Sequence, residues 1–183
     1  NEAITQGDKF GGNESLKGQK IMIEYTDPNP FKEFHIGHLM SNTIGESISR
    51  IIEFQGAEVK RACYQGDVVL HVAKAIYGAI KNGEPKNTEE WGNAYTKGSV
   101  AYEEDALVKK EIEDLNKKIY DRSDEKINAL YDSGRQISLE AFEEMYKRLG
   151  TVFDYYFFES EMAKPGLETV SRFLQKGVFE KSE

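Results

Sequence analysis

The way apolar and polar residues alternate along the chain predicts its elements before any chemistry is considered. Lys20–Thr26, "KIMIEYT", has the length and the β-branched and aromatic content of a buried strand. It cannot continue through "DPNPFKEF", because Asp27-Pro28 and Asn29-Pro30 are turn dipeptides and each proline disfavours helix at the residue before it. From Leu39 to Phe54, apolar residues at Met40, Ile44, Ile48, Ile51 and Ile52 follow the spacing of a helix with one buried face, and Gly56 ends it. Glu58–Tyr64 is a second strand, followed by a Gly66-Asp67 turn and a helix from about Val68 to Ile80. Strand, helix and strand between Lys20 and Tyr64 predict a βαβ unit with parallel strands, and so an α/β fold built on a partial Rossmann-like sheet.

The pattern changes after "NGEPKN" (Asn82–Asn87), the clearest linker. From Thr88 to about Leu149 charge density is high. Leu107, Val108, Ile112, Leu115 and Ile119 mark one helical face, which Ile127, Leu130 and Tyr131 continue. This is a helical insertion. "VFDYYFFES" (Val152–Ser160) resumes strand composition, and Pro165 opens a helix that runs to about Gln175 and stops at Gly177. The expected organisation is a lead-in over 1–19, a first part of the sheet domain over 20–87, the insertion over 88–150 and a return to the sheet over 151–183. Two or three parallel strands make only half a sheet, so a longer protein is expected, of which this is a piece.

Composition narrows the class. A chain of 183 residues with 39% hydrophobic content can bury one sizeable core. No run approaches a membrane span, so no membrane partner is expected. The single cysteine, Cys63, excludes an internal disulfide framework and a Cys-rich zinc site, and fits a reducing cytoplasm. A formal net charge of −8 argues against general nucleic-acid binding by this piece alone, because phosphate affinity comes from clustered Lys and Arg.

His35 and His38 then stand at the carboxyl end of a strand and the amino end of a helix, where open α/β sheets bind ligands. Unpaired N–H groups and the positive dipole end favour an anion there, and Gly37 has no Cβ to hold a ligand away. Imidazole N–H donors suit the charge that grows on an α-phosphate under attack. Metal binding is the weaker alternative, because His-x-x-His supplies two ligands and Cys63 lies on another strand. Two capping or packing histidines form the plainer one.

The ordered combination Glu24, Pro28-Asn29, His35-Ile36-Gly37-His38-Leu39 and Gly66-Asp67 resembles the signature region of class I aminoacyl-tRNA synthetases, most closely the arginyl enzymes. The resemblance is strongest from Lys20 to Ile80 and returns around "FDYYFFES". It implies a HUP-type nucleotide-binding domain that activates arginine with ATP, accompanied by Mg2+, and transfers it to tRNA(Arg). It also implies that His35 and His38 contact ATP phosphates as catalytic residues, that Gly37 lets adenine approach, and that Glu24 and Asn29 bind arginine. A guanidinium is permanently charged, so its pocket needs carboxylates.

Asp27 stands where the family often has serine and reads as an Asp-Pro turn residue. Val69 replaces a common glycine. His71 replaces a frequent glutamine and, lying opposite Val69, Val72, Ala73 and Ile76 on the helical wheel, is expected to be exposed. Asp67 either orders the pocket floor or caps the helix that follows. The Lys-Met-Ser-Lys-Ser-type loop and the anticodon-binding domain of the family are not found, so the piece alone is expected to be inactive. The alternatives are another class I synthetase or His-x-Gly-His nucleotidyltransferase and, in a different class, a non-catalytic module binding a partner through the charged helices.

Overall fold

The computed structural model describes residues 1–182. After a short helix α1 (Glu2–Gln6) and a 3-10 turn, the chain forms β1 (Lys20–Glu24), α2 (Ile36–Phe54), β2 (Glu58–Gln65) and α3 (Leu70–Asn82). Three further helices follow, α4 (Thr88–Glu104), α5 (Ala106–Asp121) and α6 (Glu125–Leu149), and then β3 (Tyr155–Phe158) and α7 (Glu159–Gln175). The strands form one parallel sheet in the order β1-β2-β3, with Glu24 beside Ala62 and Gln65 beside Phe158. The predicted βαβ unit and the return to the sheet are both present.

Two cores hold these layers together. Phe31, Val72, Ile76, Trp91, Ile112 and Ile119 are buried among α3–α6, and Tyr25, Cys63, Phe142, Tyr146 and Phe153 are buried around the sheet and α6. Gly134 on α6 makes the first possible, because a Cβ there would collide with the rings of Phe31 and Trp91.

Three expectations are corrected. The apolar stripe of α2 is not its buried face: Met40, Ile44, Ile48 and Ile51 are exposed, whereas Asn42, Gly45, Glu46 and Ser49 are buried. Hydrogen bonds seal that polar face. Tyr25 Oη donates to Glu46 (2.6 Å), Asn42 Nδ2 donates to Thr26 Oγ1 (3.0 Å), and Thr151 Oγ1 donates to Asn42 Oδ1 (3.0 Å). Burial raises the Glu46 carboxyl, but hydrogen bonds from Arg61, Tyr25 and Arg50 outweigh it and leave the pKa below the usual value.

The stripe from Leu107 to Tyr131 is also not one continuous helix. Arg122 adopts a left-handed backbone (φ 53°) that ends α5, and Asp124 caps α6 by accepting from the N–H groups of Lys126 and Ile127. Finally, Pro165 lies inside α7 rather than opening it. The helix starts six residues earlier, at Glu159, because a carboxylate from another part of the chain takes up the Ser160 N–H.

Candidate functional site

The segment from Glu24 to His38 forms the carboxyl edge of the sheet, and its main chain is strained. Thr26 (φ 78°), Asp27 (φ 47°) and Phe31 (φ 68°) all have positive φ, a region that costs about 1–3 kcal/mol for ordinary residues. The surroundings supply the compensation. Tyr25 N–H still bonds Ala62 O (3.1 Å), but the curl at Thr26 and Asp27 then takes the main-chain carbonyls out of line. Side-chain oxygens continue the ladder in their place: Tyr64 N–H donates to Asp27 Oδ1 (2.7 Å) and Gly66 N–H donates to Asn29 Oδ1 (3.0 Å). Phe31 N–H donates to Ser138 Oγ (2.9 Å), and Pro28 and Pro30 are buried.

Asp27 is therefore a turn residue committed to β2. Burial raises its pKa, the Tyr64 N–H partly offsets this, and the charge of Glu24 adds to the rise. Asn29 has its carbonyl oxygen committed in the same way, which leaves its amide N–H groups for another partner. A Cβ at Gly66 would sit 2.7 Å from Asn29 Oδ1, so any larger residue there displaces the carbonyl oxygen that the Gly66 N–H holds.

At the other end of the segment His35 and His38 cap α2 reciprocally. Gly37 N–H donates to His35 Nδ1 (3.1 Å), and His35 N–H donates to His38 Nδ1 (3.2 Å). The rings stack with centroids 3.7 Å apart and 21° between planes. An Nδ1 that accepts carries no proton, so both imidazoles are neutral Nε2–H tautomers in this arrangement, each retaining one donor. Burial, the His35 ring and Lys32 together push His38 down to about 4, which agrees. A neutral His38 donor at a helix amino terminus can bind an anion without titrating near neutrality.

The carboxyl ends of β2 and β3 supply the rest. Asp67 is fully buried and accepts from Tyr131 Oη (3.0 Å), Arg135 Nε (2.9 Å), Ser160 N–H (2.9 Å) and Ser160 Oγ (2.8 Å). It does not cap the helix that follows it, since α3 has no side-chain cap. It caps α7 instead. The first residue of α7, Glu159, accepts from Tyr120 Oη (3.2 Å) and lies 3.4 Å from where a Gly66 Cβ would be. Burial raises Tyr64, and the charges of Glu159, Asp67 and Glu24 raise it further, so three carboxylates act on one hydroxyl.

Glu24 is exposed at the end of β1. His71, expected on the surface, is half-buried with Nε2 3.2 Å from Pro30 O, because α3 packs under the proline turn. Sequence reasoning missed Glu159, Tyr120, Arg135 and Ser160. The first had a signal: it stands near the carboxyl end of the stretch predicted as strand, Val152–Ser160, and strand ends of that kind bind ligands.

No helix among the described residues is long and apolar enough to cross a membrane. Among the same residues no three His, Cys, Asp or Glu side chains are grouped to hold a metal ion.

The family described as "tRNA synthetases class I (R), catalytic domain" matches residues 1–183. The chain is 33% identical over 191 residues to the arginine–tRNA ligase of Treponema pallidum, covering 98% of this chain and 32% of that protein. It is 33% identical over 179 residues to the arginine–tRNA ligase of Bdellovibrio bacteriovorus, covering 91% of this chain and 30% of that protein. Thus it spans about a third of the length of these relatives. Among solved structures, the arginyl-tRNA synthetase of Thermus thermophilus superposes with a TM-score of 0.67 at 21% identity, over 96% of this chain and 30% of that one. The Plasmodium falciparum arginyl-tRNA synthetase gives 0.66 at 23%, over 97% and 30%. At these identities the solved structures establish a shared fold.

Proposed function

Because the chain belongs to the family of class I arginyl-tRNA synthetase catalytic domains, we propose that it carries the phosphate-contacting and amino-acid-contacting side of an arginine-activating centre. The observation that carries this reading is the reciprocal cap: two neutral imidazoles, each with Nδ1 occupied and Nε2–H free, at the helix terminus that follows a strand end. In the reaction the arginine carboxylate attacks the α-phosphorus of ATP, the bond to the bridging oxygen breaks, and pyrophosphate leaves. Charge grows on the non-bridging oxygens, and His35 and His38 donate to them as catalytic residues. Gly37 keeps the approach to the helix terminus open for adenine.

Glu24 pairs with the guanidinium, and the free amide N–H groups of Asn29 orient the amino acid's backbone end. Mg2+ arrives with the nucleotide and neutralises its phosphates. Transfer of the arginyl group to tRNA(Arg) follows, in a protein longer than this chain. The same reading keeps 20–87 and 151–183 as parts of the nucleotide-binding domain, 88–150 as an insertion and 1–19 as a lead-in. A cytoplasmic setting suits a buried free thiol at Cys63.

The test is an ATP titration of the chain followed by amide NMR, repeated with His38→Ala. The expected result is a saturable perturbation of Gly37 and His38, and with the substitution a Gly37 perturbation of smaller amplitude that still saturates within a few-fold of the same ATP concentration. Perturbation confined to other surfaces, or unaffected by the substitution, would overturn the reading.

A further inference from the structure

The proposed arginine site meets the helical insertion at a few points, Phe31 N–H on Ser138 Oγ and Tyr120 Oη on Glu159 among them, and the most heavily bonded of these links is one side chain, Asp67. Asp67 receives Tyr131 Oη and Arg135 Nε from α6, and Ser160 N–H and Oγ from the start of α7, all within 2.8–3.0 Å. Gly66, its neighbour along the chain, holds Asn29 by a 3.0 Å bond, and Glu159, the neighbour of Ser160, lies against Gly66. The guanidinium of Arg135 also stacks 4.0 Å from the Phe158 ring at the end of β3. Arg135 thus grips both strand ends that flank the amino-acid pocket.

We infer that Arg135, acting through Asp67, is a positioning residue for arginine: the insertion helix α6 sets where Asn29 and Glu159 stand and leaves the ATP-contacting histidines untouched. The physical basis is that hydrogen-bonded groups around a buried carboxylate act as a unit, so loss of the charge-assisted partner relaxes every element the carboxylate holds. The hydrogen bonds of the histidine pair are all local, from His35 to His38, and its packing on α6, through Phe34 to Phe142 and Tyr146, lies roughly two to three turns beyond Arg135. Among the described residues, the groups facing Asp67 are Tyr131, Arg135 and Ser160, with Asp132, Arg122 and Glu161 further out around a cavity of about 310 Å³. Arg135 lines that cavity and belongs to neither hydrophobic core, so a shorter side chain there opens no void inside either core.

The inference rests on the arginine-activating reading, and two measurements separate their failures. The first needs no substrate: hydrogen exchange of the chain carrying Arg135→Gln. Gly66 and Ser160 amides are expected to exchange at least tenfold faster, with the Tyr25 amide of the β1–β2 ladder unchanged. Arg135→Lys, which keeps a cationic donor, is expected to restore most of the protection. Uniform acceleration of all amides, or no change at Gly66, would overturn the coupling. The second measurement is steady-state kinetics of the protein carrying this chain at its natural length. There Arg135→Gln is expected to raise KM for arginine about tenfold while KM for ATP stays within twofold. Equal effects on both substrates would also overturn the inference. Selective amide exposure with no arginine-dependent activity at all would instead overturn the reading beneath it.

Discussion

His38→Ala removes two functions that reside on different atoms of one ring. Nδ1 accepts the His35 N–H at 3.2 Å, and losing this cap is expected to destabilise α2 by about 1 kcal/mol. Nε2–H is the donor assigned to the α-phosphate, and removing one preorganised donor costs about 2.7–4 kcal/mol in the transition state, or roughly a hundredfold to a thousandfold in rate. His38→Asn separates them. Asn Oδ1 stands at the same bond distance from Cβ as His Nδ1, so the cap is kept, whereas the Asn amide nitrogen ends one bond short of Nε2. Its stability is expected to return to within about 0.5 kcal/mol of the parent, and its rate of adenylate formation to stay depressed at least tenfold. Urea unfolding of the chain reads the first quantity. Single-turnover adenylate formation by the protein at its natural length, over ranges of ATP and arginine, reads the second. If asparagine restores rate and stability together, or if ATP affinity falls as far as the rate does, transition-state stabilisation by His38 is refuted.

Glu24→Gln keeps shape and removes charge. Because Glu24 is exposed, the loss is expected near the lower end of the range for charged pairs, about 2 kcal/mol or roughly thirtyfold in KM for arginine, and a parallel change in KM for ATP would contradict the assignment. Gly45→Ala ordinarily stabilises a helix, but here a Cβ would meet the Tyr25 ring, with Cδ1 at 2.7 Å, while the Tyr25 hydroxyl is held by Glu46. Destabilisation of about 1–3 kcal/mol by urea unfolding is expected; a gain would show that the sheet yields easily. Ile48→Ser, on the exposed stripe of the same helix, is expected to stay within about 0.5 kcal/mol. His38 and His71 are both lowered to about 4, the first by burial, His35 and Lys32, the second by burial and Lys32. The unfolded chain therefore binds protons that the folded one refuses, and these groups make stability fall as pH drops from about 6.5 towards 4. His71→Gln is expected to flatten that slope, and an unchanged slope would place the titration elsewhere.

The place of His35 and His38 at a strand-to-helix junction was legible in the sequence, and their capping stood there as the plainer alternative; their partners are within three residues, and short-range geometry follows from local residue type. The helices and strands were legible for the same reason: a repeat of three to four or of two reports local backbone conformation. What the repeat cannot report is which neighbour waits on which side. On α2 the isoleucines mark a true helical face, yet the sheet takes the opposite one, because Gly45 admits the Tyr25 ring and Glu46 and Asn42 find partners there. Asp67 shows the limit more sharply. From sequence it either ordered the pocket floor or capped the next helix; its actual partners lie 64, 68 and 93 residues away, and the helix it caps is α7. A buried carboxylate has to be satisfied, but its charge does not specify by whom. Only the packing of α6 and α7 against the strand ends decided that, and with it how the insertion meets the pocket.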